Sequence, residues 1–191
     1  AWLRWRGRLP QPFVVTRRTM PLTFPPEVLA IGLTADRTIA VSAAVASALR
    51  RRFHPAGRLR VVPNGIDLGR FVDRPAKIPF RCVYASSADR GLDILLALWP
   101  QIVAAEPTAE LHIAYGWETM DKMIAAGRDD LARFKADMVR KIEQAPNVVW
   151  RGRLPQNELA RLYGESVAWL MPTNFLEVSC LSSCCRTCAS R

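Results

Sequence analysis

The sequence lacks the features that define several large classes of protein. Its longest uncharged apolar stretch, residues 38–49, is well short of the roughly 20 residues that cross a bilayer as a helix. Neither a G-x-G-x-x-G nor a Walker A pattern occurs, which weakens dinucleotide- and triphosphate-binding interpretations. The two histidines, His54 and His112, have no evident nucleophile beside them, which disfavours a hydrolase triad.

The first residues mix Trp and Arg without the apolar run of a secretory signal, so we expect no such signal. We expect this start to be a cut end and the cytoplasm to be the compartment. The run Arg50–Arg52 is expected to be a solvated helix end, where cations complement the helix dipole. Contact with anionic lipid at the inner face of the membrane is the alternative.

Lysine is scarce, and the basic charge is unevenly distributed. The chain has 4 Lys, 23 Arg and a net charge of +10. Residues 1–70 hold 12 Arg and 3 acidic residues, which leaves a net charge of only +1 for the rest. A GC-rich coding bias produces such a ratio without a polyanionic partner, and Trp2 and Trp5 are the only aromatic hints of base stacking. We expect no nucleic-acid partner, and a basic nucleic-acid-binding module is the least favoured alternative.

Strand and helix patterns alternate from residue 37 onward, whereas residues 1–30 show no sustained period. Apolar runs predict strands at 38–41, 59–62, 80–84, 111–115, 148–150 and 167–171, with helices at about 42–53, 92–105, 118–144 and 157–163. Asn64 and Gly65 accept the positive φ of a turn that ends the second strand. This alternation predicts an α/β fold with a doubly wound, Rossmann-like parallel sheet. One face of the long helix is predicted to be core, with the apolar residues Met120, Met123, Ile124, Leu131, Phe134, Met138 and Ile142.

Ligands of such sheets bind at the carboxyl ends of the strands, so the loops there are candidate sites. The first is residues 86–91, where Ser86 and Ser87 hydroxyls, backbone N–H groups and the Arg90 guanidinium suit a diphosphate at a helix amino terminus. The alternative is an ordinary helix cap by Asp89 or Ser87, with Arg90 solvated.

The second candidate is the segment Met171–Cys180, another strand end followed by a predicted helix start. Backbone N–H groups at Val178 and Ser179 suit an anion, and Glu177 is placed to accept sugar hydroxyls. Asn174 is a further candidate donor-binding residue. A solvated surface glutamate is the alternative.

Several ordered motifs together resemble family 4 glycosyltransferases, which have the two-domain GT-B fold. The resemblance covers about residues 34–181. It implies that residues 1–70 are a remnant of the N-terminal, acceptor-side domain with the linker, and that 71–181 are an incomplete nucleotide-sugar-binding C-terminal domain. The motifs are Thr34–Ser42, Val61–Asp67 with Phe71, Tyr84–Asp93, Gly152 after Val148–Trp150, and Pro172–Glu177.

The resemblance implies transfer of a sugar from a nucleotide-sugar to an acceptor hydroxyl, with retention at the anomeric carbon and without a metal or other cofactor. It implies that Arg90 and the amides near Glu177 stabilise the diphosphate leaving group. Glu177 would be the catalytic residue that orients the donor sugar. Gly65 and Gly152 would let the backbone approach the ligand, or merely form tight turns. The base, the sugar and the acceptor, whether lipid-linked or a polysaccharide, stay open.

The chain departs from the family pattern near its end. The second glutamate of the family signature falls at Cys185, and residues 182–191 form a Cys- and Ser-rich tail. A frameshift is the expected cause. A four-cysteine zinc site is disfavoured, because the adjacent Cys184 and Cys185 do not easily face one metal. Cys82 is expected to be an inert core residue. The alternative to an active transferase is therefore an inactive remnant or a nucleotide-binding module.

Overall fold

A computed structural model describes residues 13–17, 34–51, 56–72 and 75–173. Contacts along the chain divide it into two units, with the boundary between Gly65 and Ile66. Both units contain a parallel sheet with helices, so the predicted α/β class is confirmed. The domain assignment with a boundary at residues 70–71 stays a prediction, and the division in contacts falls slightly before it.

The first unit contains a three-stranded parallel sheet in the order β1-β2-β3. Ser42 caps its helix as expected, since Ser42 Oγ accepts a hydrogen bond from the Val45 N–H at 3.3 Å. The buried core lies between the helix and the sheet and includes Ala40, Val45 and Leu59. The elements are β1 (Val14–Arg17), β2 (Arg37–Ala40), α1 (Ala43–Arg50), a 3-10 turn (Ala56–Arg58) and β3 (Leu59–Val61).

The second unit contains a four-stranded parallel sheet in the order β6-β5-β4-β7. Helices follow β4, β5 and β6, as the crossover connections of parallel strands require. The elements are a 3-10 turn (Leu68–Phe71), β4 (Ile78–Tyr84), α2 (Leu92–Ala105), β5 (Glu110–Ile113), α3 (Glu118–Ala125), α4 (Asp129–Gln144), β6 (Val148–Trp150), α5 (Gln156–Glu165) and β7 (Ser166–Trp169).

Helices cover both faces of this sheet, which is why its strands read as apolar runs. On one face, α2 and α4 pack on the sheet and enclose Trp99, whose Nε1–H donates to the Pro146 carbonyl at 2.7 Å. On the other face, Leu162 and Tyr163 of α5 pack against Val83 and Ala114. The carboxyl ends of all four strands therefore lie at one edge of a firmly packed layer.

The structure differs from the sequence prediction in three details. The predicted helix 118–144 is two helices, because Gly127 has a φ of +92° and the N–H groups of Gly127 and Arg128 close a helix end on the carbonyls of Ile124 and Met123. Met123 is consequently 39% exposed and not core. Strand β1 lies where no element was expected.

A further difference concerns the turn after β3. Neither Asn64 nor Gly65 has a positive φ, so the turn does not use the left-handed conformation that was expected of them. None of the described helices is both long enough and apolar enough to span a bilayer.

Candidate functional site

The strand order of the second unit creates a topological switch point between β4 and β7. The chain moves outward from β4 to β5 and β6 and then returns through α5 to place β7 on the opposite side of β4. The loops after β4 and β7 therefore begin side by side at the carboxyl edge of the sheet. In open α/β sheets such a switch point is the usual ligand site.

The loop after β4 is a tight turn that the protein itself fixes. The Tyr84 hydroxyl donates a hydrogen bond to the Ser87 carbonyl oxygen at 2.7 Å, and the Arg90 N–H donates to the same oxygen at 2.9 Å. Burial raises the pKa of Tyr84 above its ordinary value, and the negative charge of Asp89 raises it further. The hydroxyl therefore stays protonated and acts as a donor. These two hydrogen bonds fix the backbone of the loop.

The amino terminus of α2 begins at this loop without a side-chain cap. The N-cap residue is Gly91, which has no side chain to accept a hydrogen bond from the first turn of this helix. The alternative of a cap by Ser87 or Asp89 is therefore wrong. Because the first N–H groups of a helix carry partial positive charge, this end suits an anionic oxygen.

Arg90 is half-buried beside that helix end. Its side chain is 28% exposed, and its Nε lies 4.0 Å from Asp89 Oδ2. The alternative in which Arg90 is solvated is therefore wrong as well. Ser86 and Ser87 are half-buried in the same turn, so a cation, two hydroxyl groups and a helix amino terminus are close together. Their assignment to a donor stays a prediction.

The start of the second candidate segment lies directly against this loop. A Cβ added to Gly91 would be 2.0 Å from the Pro172 carbonyl oxygen and 3.0 Å from the Thr173 Cα. With a φ of +87°, Gly91 needs to be glycine both for its conformation and for this close approach. The role of Gly91 was not predicted, although a glycine immediately before a predicted helix was a usable signal.

The other residues predicted in the second segment lie outside the described part of the chain. These are Asn174, Glu177, Val178 and Ser179. The tail with its cysteines lies there too. Their roles stay predictions.

The two glycines predicted to approach a ligand differ from one another. Gly152 follows β6 with a φ of +64°, and the nearest atom to an added Cβ would be Trp150 Nε1 at 3.8 Å. The backbone conformation therefore requires glycine at this position, although there is enough space for a Cβ. Gly65 belongs to the first unit, and a Cβ added to it would have no described atom within 4 Å. No described contact makes Gly65 necessary.

A cavity of about 330 Å³ opens at the carboxyl ends of β4, β5 and β6. It begins at Ala85, the first residue of the loop after β4, and extends to the loop after β6. Its size is in the range of small-molecule sites. The loops at the carboxyl ends of the strands were predicted to be candidate sites, but the cavity itself was not predicted. Its lining residues are Ala85, Ala114, Tyr115, Gly116, Glu118, Thr119, Arg153, Leu154, Gln156 and Leu159.

A pair of stacked indoles supports the loops that form this cavity. The rings of Trp117 and Trp150 are 5.1 Å apart at an angle of 11°, and Lys135 Nζ lies 5.7 Å from the Trp117 ring centre. Both indoles also pack against the main core. Because Trp117 follows β5 and Trp150 ends β6, the pair holds the two loops together.

A charged cluster lies on the same sheet but away from its carboxyl ends. Arg81 donates to Glu110 and to Glu165, both at 3.1 Å, and His112 Nε2 lies 3.3 Å from Glu110 Oε2. The hydrogen bond from Arg81 lowers the pKa of Glu110, and burial followed by the charge of Arg81 lowers the pKa of His112. This arrangement joins β4, β5 and α5 and contains no nucleophile. Within the described ranges, no group of three or more His, Cys, Asp or Glu is placed to hold a metal.

Comparison with solved structures identifies the class of fold. HepE of Anabaena, solved with UDP-glucose, is 15% identical to this chain with a TM-score of 0.68. The alignment covers 94% of this chain and 52% of HepE. Sucrose-phosphate synthase from Thermosynechococcus elongatus is 17% identical with a TM-score of 0.66, over 97% of this chain and 50% of that one. A glycosyltransferase from Rickettsia africae is 11% identical with a TM-score of 0.66, over 93% of this chain and 49% of that one. The chain has the Rossmann-like architecture of GT-B glycosyltransferases and spans about half their length.

The family is indicated by the sequence of the first unit and the start of the second. Residues 1–70 match the family model described as Glycosyltransferase Family 4, which confirms the resemblance to that family. No curated protein matches the chain.

Proposed function

We propose that the second unit binds the nucleoside diphosphate of a nucleotide-sugar donor, and that the protein transfers the sugar to an acceptor hydroxyl. The observation that carries this proposal is the contact of Gly91 with Pro172 and Thr173. It brings the loop after β4 and the segment after β7 together at the switch point, beside the uncapped end of α2.

The diphosphate fits the loop after β4 on grounds of charge and geometry. The first turn of α2 has no N-cap side chain bound to it, which leaves its N–H groups for anionic oxygens, and Arg90 supplies the one cation between Ala85 and Asp93. Asp89 and Asp93 oppose an anion, so directional hydrogen bonds from the backbone have to supply much of the affinity. This site is selective for phosphate geometry more than for negative charge as such.

The nucleoside fits the cavity at the ends of β5 and β6. Two strand spacings, about 10 Å, separate the middle of the β5–β6 pair from the middle of the β4–β7 pair. This is comparable to the separation of base and diphosphate in an extended nucleotide. Ala85 belongs both to the cavity and to the start of the phosphate loop, so one ligand reaches both. HepE has been solved with UDP-glucose and with UDP, which supports a nucleotide-sugar as the ligand class.

Transfer with retention of configuration rests on the family resemblance. In this proposal Arg90 and the amides of Val178 and Ser179 stabilise the charge that develops on the leaving diphosphate. Glu177 orients the donor sugar, with Asn174 beside it, and Gly152 leaves the backbone open to the nucleoside. No metal ion is required, because the helix end and the guanidinium serve the leaving group. The acceptor is lipid-linked or a polysaccharide. A lipid-linked acceptor would require contact with the inner face of a membrane.

The test is calorimetric titration of the full chain with UDP and with GDP. Saturable binding is expected, and Arg90→Ala should weaken it roughly tenfold or more, because a hydrogen bond between two charged groups is lost. Arg140→Ala is the matched control, since Arg140 is an exposed arginine of α4 that pairs with Asp137. It should leave the affinity unchanged.

The outcomes separate the candidate functions. No binding to folded protein, or equal losses in the two variants, contradicts the donor site. Binding without sugar transfer to any acceptor preparation would identify a nucleotide-binding module in place of an active transferase. Affinity that collapses with rising salt in both variants would instead indicate a nonspecific polyanion site.

A further inference from the structure

We infer that the base of the donor is guanine, and that Glu118 and Arg153 select it. This inference rests on the proposed function, which leaves the base open. It concerns the cavity at the ends of β5 and β6, whose apolar lining is Ala85, Ala114, Leu154 and Leu159. Such a lining holds a flat aromatic base but does not distinguish one base from another.

The Glu118 carboxylate lies folded against the loop that ends β5. A Cβ added to Gly116 would be 2.0 Å from Glu118 Oε2 and 2.6 Å from Oε1, so both oxygens lie over the Gly116 backbone at the cavity wall. Any side chain at residue 116 would displace them. Within the described ranges this carboxylate forms no hydrogen bond or ion pair. Its acceptor capacity is therefore available to a ligand.

Arg153 lines the same cavity from the neighbouring loop. It follows Gly152 after β6 and is exposed. Among the described residues, Arg153 and Glu118 do not pair with each other or with another charged group. The cavity thus presents an acceptor group from one loop and a donor group from the next.

Guanine is the base whose edge matches this pair. Its N1–H and 2-amino group are adjacent donors that a carboxylate accepts together, and its O6 and N7 accept from an arginine. Uracil places a carbonyl on each side of its single N–H, so a carboxylate that accepts from this N–H meets at least one repelling oxygen. Adenine and cytosine offer one amino donor beside a ring nitrogen lone pair. Each of the three forms fewer hydrogen bonds with this lining.

Glu118 also has an ordinary structural explanation. It occupies the first turn of α3, where a carboxylate stabilises the helix dipole, and Asp121 shares that position. A role in the helix alone would not depend on which base is bound. The test must therefore compare bases and include Asp121 as the control.

The experiment is calorimetric titration of the full chain with GDP, inosine diphosphate, UDP and pyrophosphate. GDP should bind at least tenfold more tightly than UDP, and inosine diphosphate, which lacks the 2-amino group, should lie between them. Glu118→Gln should weaken GDP binding about tenfold and bring GDP and inosine diphosphate close together. Pyrophosphate binding should not change. Asp121→Asn should alter none of the affinities, and thermal unfolding should show that both variants fold.

Failure of this inference is distinguishable from failure of the proposed function. If UDP binds as tightly as GDP and Arg90→Ala weakens both, the donor site stands and guanine selection is overturned. Equal losses for all nucleotides in Glu118→Gln also overturn it. If neither pyrophosphate nor any nucleotide binds, the donor site and the inference fail together.

Discussion

Replacing Gly91 with alanine tests how tightly the loop after β4 is held against the segment after β7. The new Cβ would lie 2.0 Å from the Pro172 carbonyl oxygen and 2.8 Å from the Pro172 carbonyl carbon. Both neighbours are backbone atoms, so no flexible side chain can move aside. One of the two segments must therefore shift.

The expected cost has two parts. The left-handed conformation at a φ of +87° costs alanine roughly 1 kcal/mol relative to glycine. The forced shift of packed backbone adds roughly 1–3 kcal/mol, as other overpacked positions do. The free energy of unfolding should thus fall by about 2–4 kcal/mol, a large part of the 5–15 kcal/mol typical of a domain.

The assay is urea unfolding followed by tryptophan fluorescence, with two other glycines as controls. Gly127 has a φ of +92° but no described atom within 4 Å of its Cβ position, so Gly127→Ala should cost only the conformational part. Gly65 has neither feature, so Gly65→Ala should be neutral or slightly stabilising. If Gly91→Ala costs no more than Gly127→Ala, the close contact with Pro172 is refuted.

Two further predictions concern charge. Asp89→Asn should strengthen nucleoside diphosphate binding roughly threefold, because a unit charge at about 6 Å in water opposes an anion by about 0.7 kcal/mol; calorimetry checks this, and unchanged or weaker binding would contradict it. The pKa of His112 is lowered in the folded protein, so His112 binds a proton more readily in the unfolded chain. Protonation therefore favours unfolding, and the free energy of unfolding should decrease as the pH falls below about 6.5. Urea unfolding at pH 7.5 and 5.5 should show a smaller decrease in His112→Gln, and equal decreases would count against this account.

Much of the fold was predictable because its information is local. Continuous apolar runs located β4, β5 and β6, and Ser42 located the start of α1. Strand β1 was missed because the run Val14–Arg17 has no alternating pattern. It is a strand through its pairing with β2, in which Val14 lies opposite Arg37, and such pairing is not visible in the segment itself.

The break between α3 and α4 shows a different kind of limit. The apolar stripe continues in phase across the break, so periodicity alone predicted one helix. The local signal was Gly127 followed by the acidic Asp129 and Asp130, which is typical of a helix end and a new helix start.

The candidate site was predictable in its location and not in its contents. The rule for parallel sheets placed it at the loops after β4 and β7. The contact of Gly91 with Pro172 and the approach of Glu118 to Gly116 depend on tertiary packing. Such contacts are set by how the loops leave the sheet, which the sequence pattern does not encode.

The position of β7 has a consequence for the order of folding. Arg81 of β4 reaches its partner Glu110 across 29 residues, whereas Lys77, just before β4, reaches the Ser166 carbonyl across 89. Because closing a longer loop costs more entropy before any contact stabilises it, β4, β5 and β6 are expected to associate first and β7 last. The switch point between β4 and β7 then comes into existence only at the final docking event. A chain emerging from the ribosome would therefore build most of its core before it completes the candidate site.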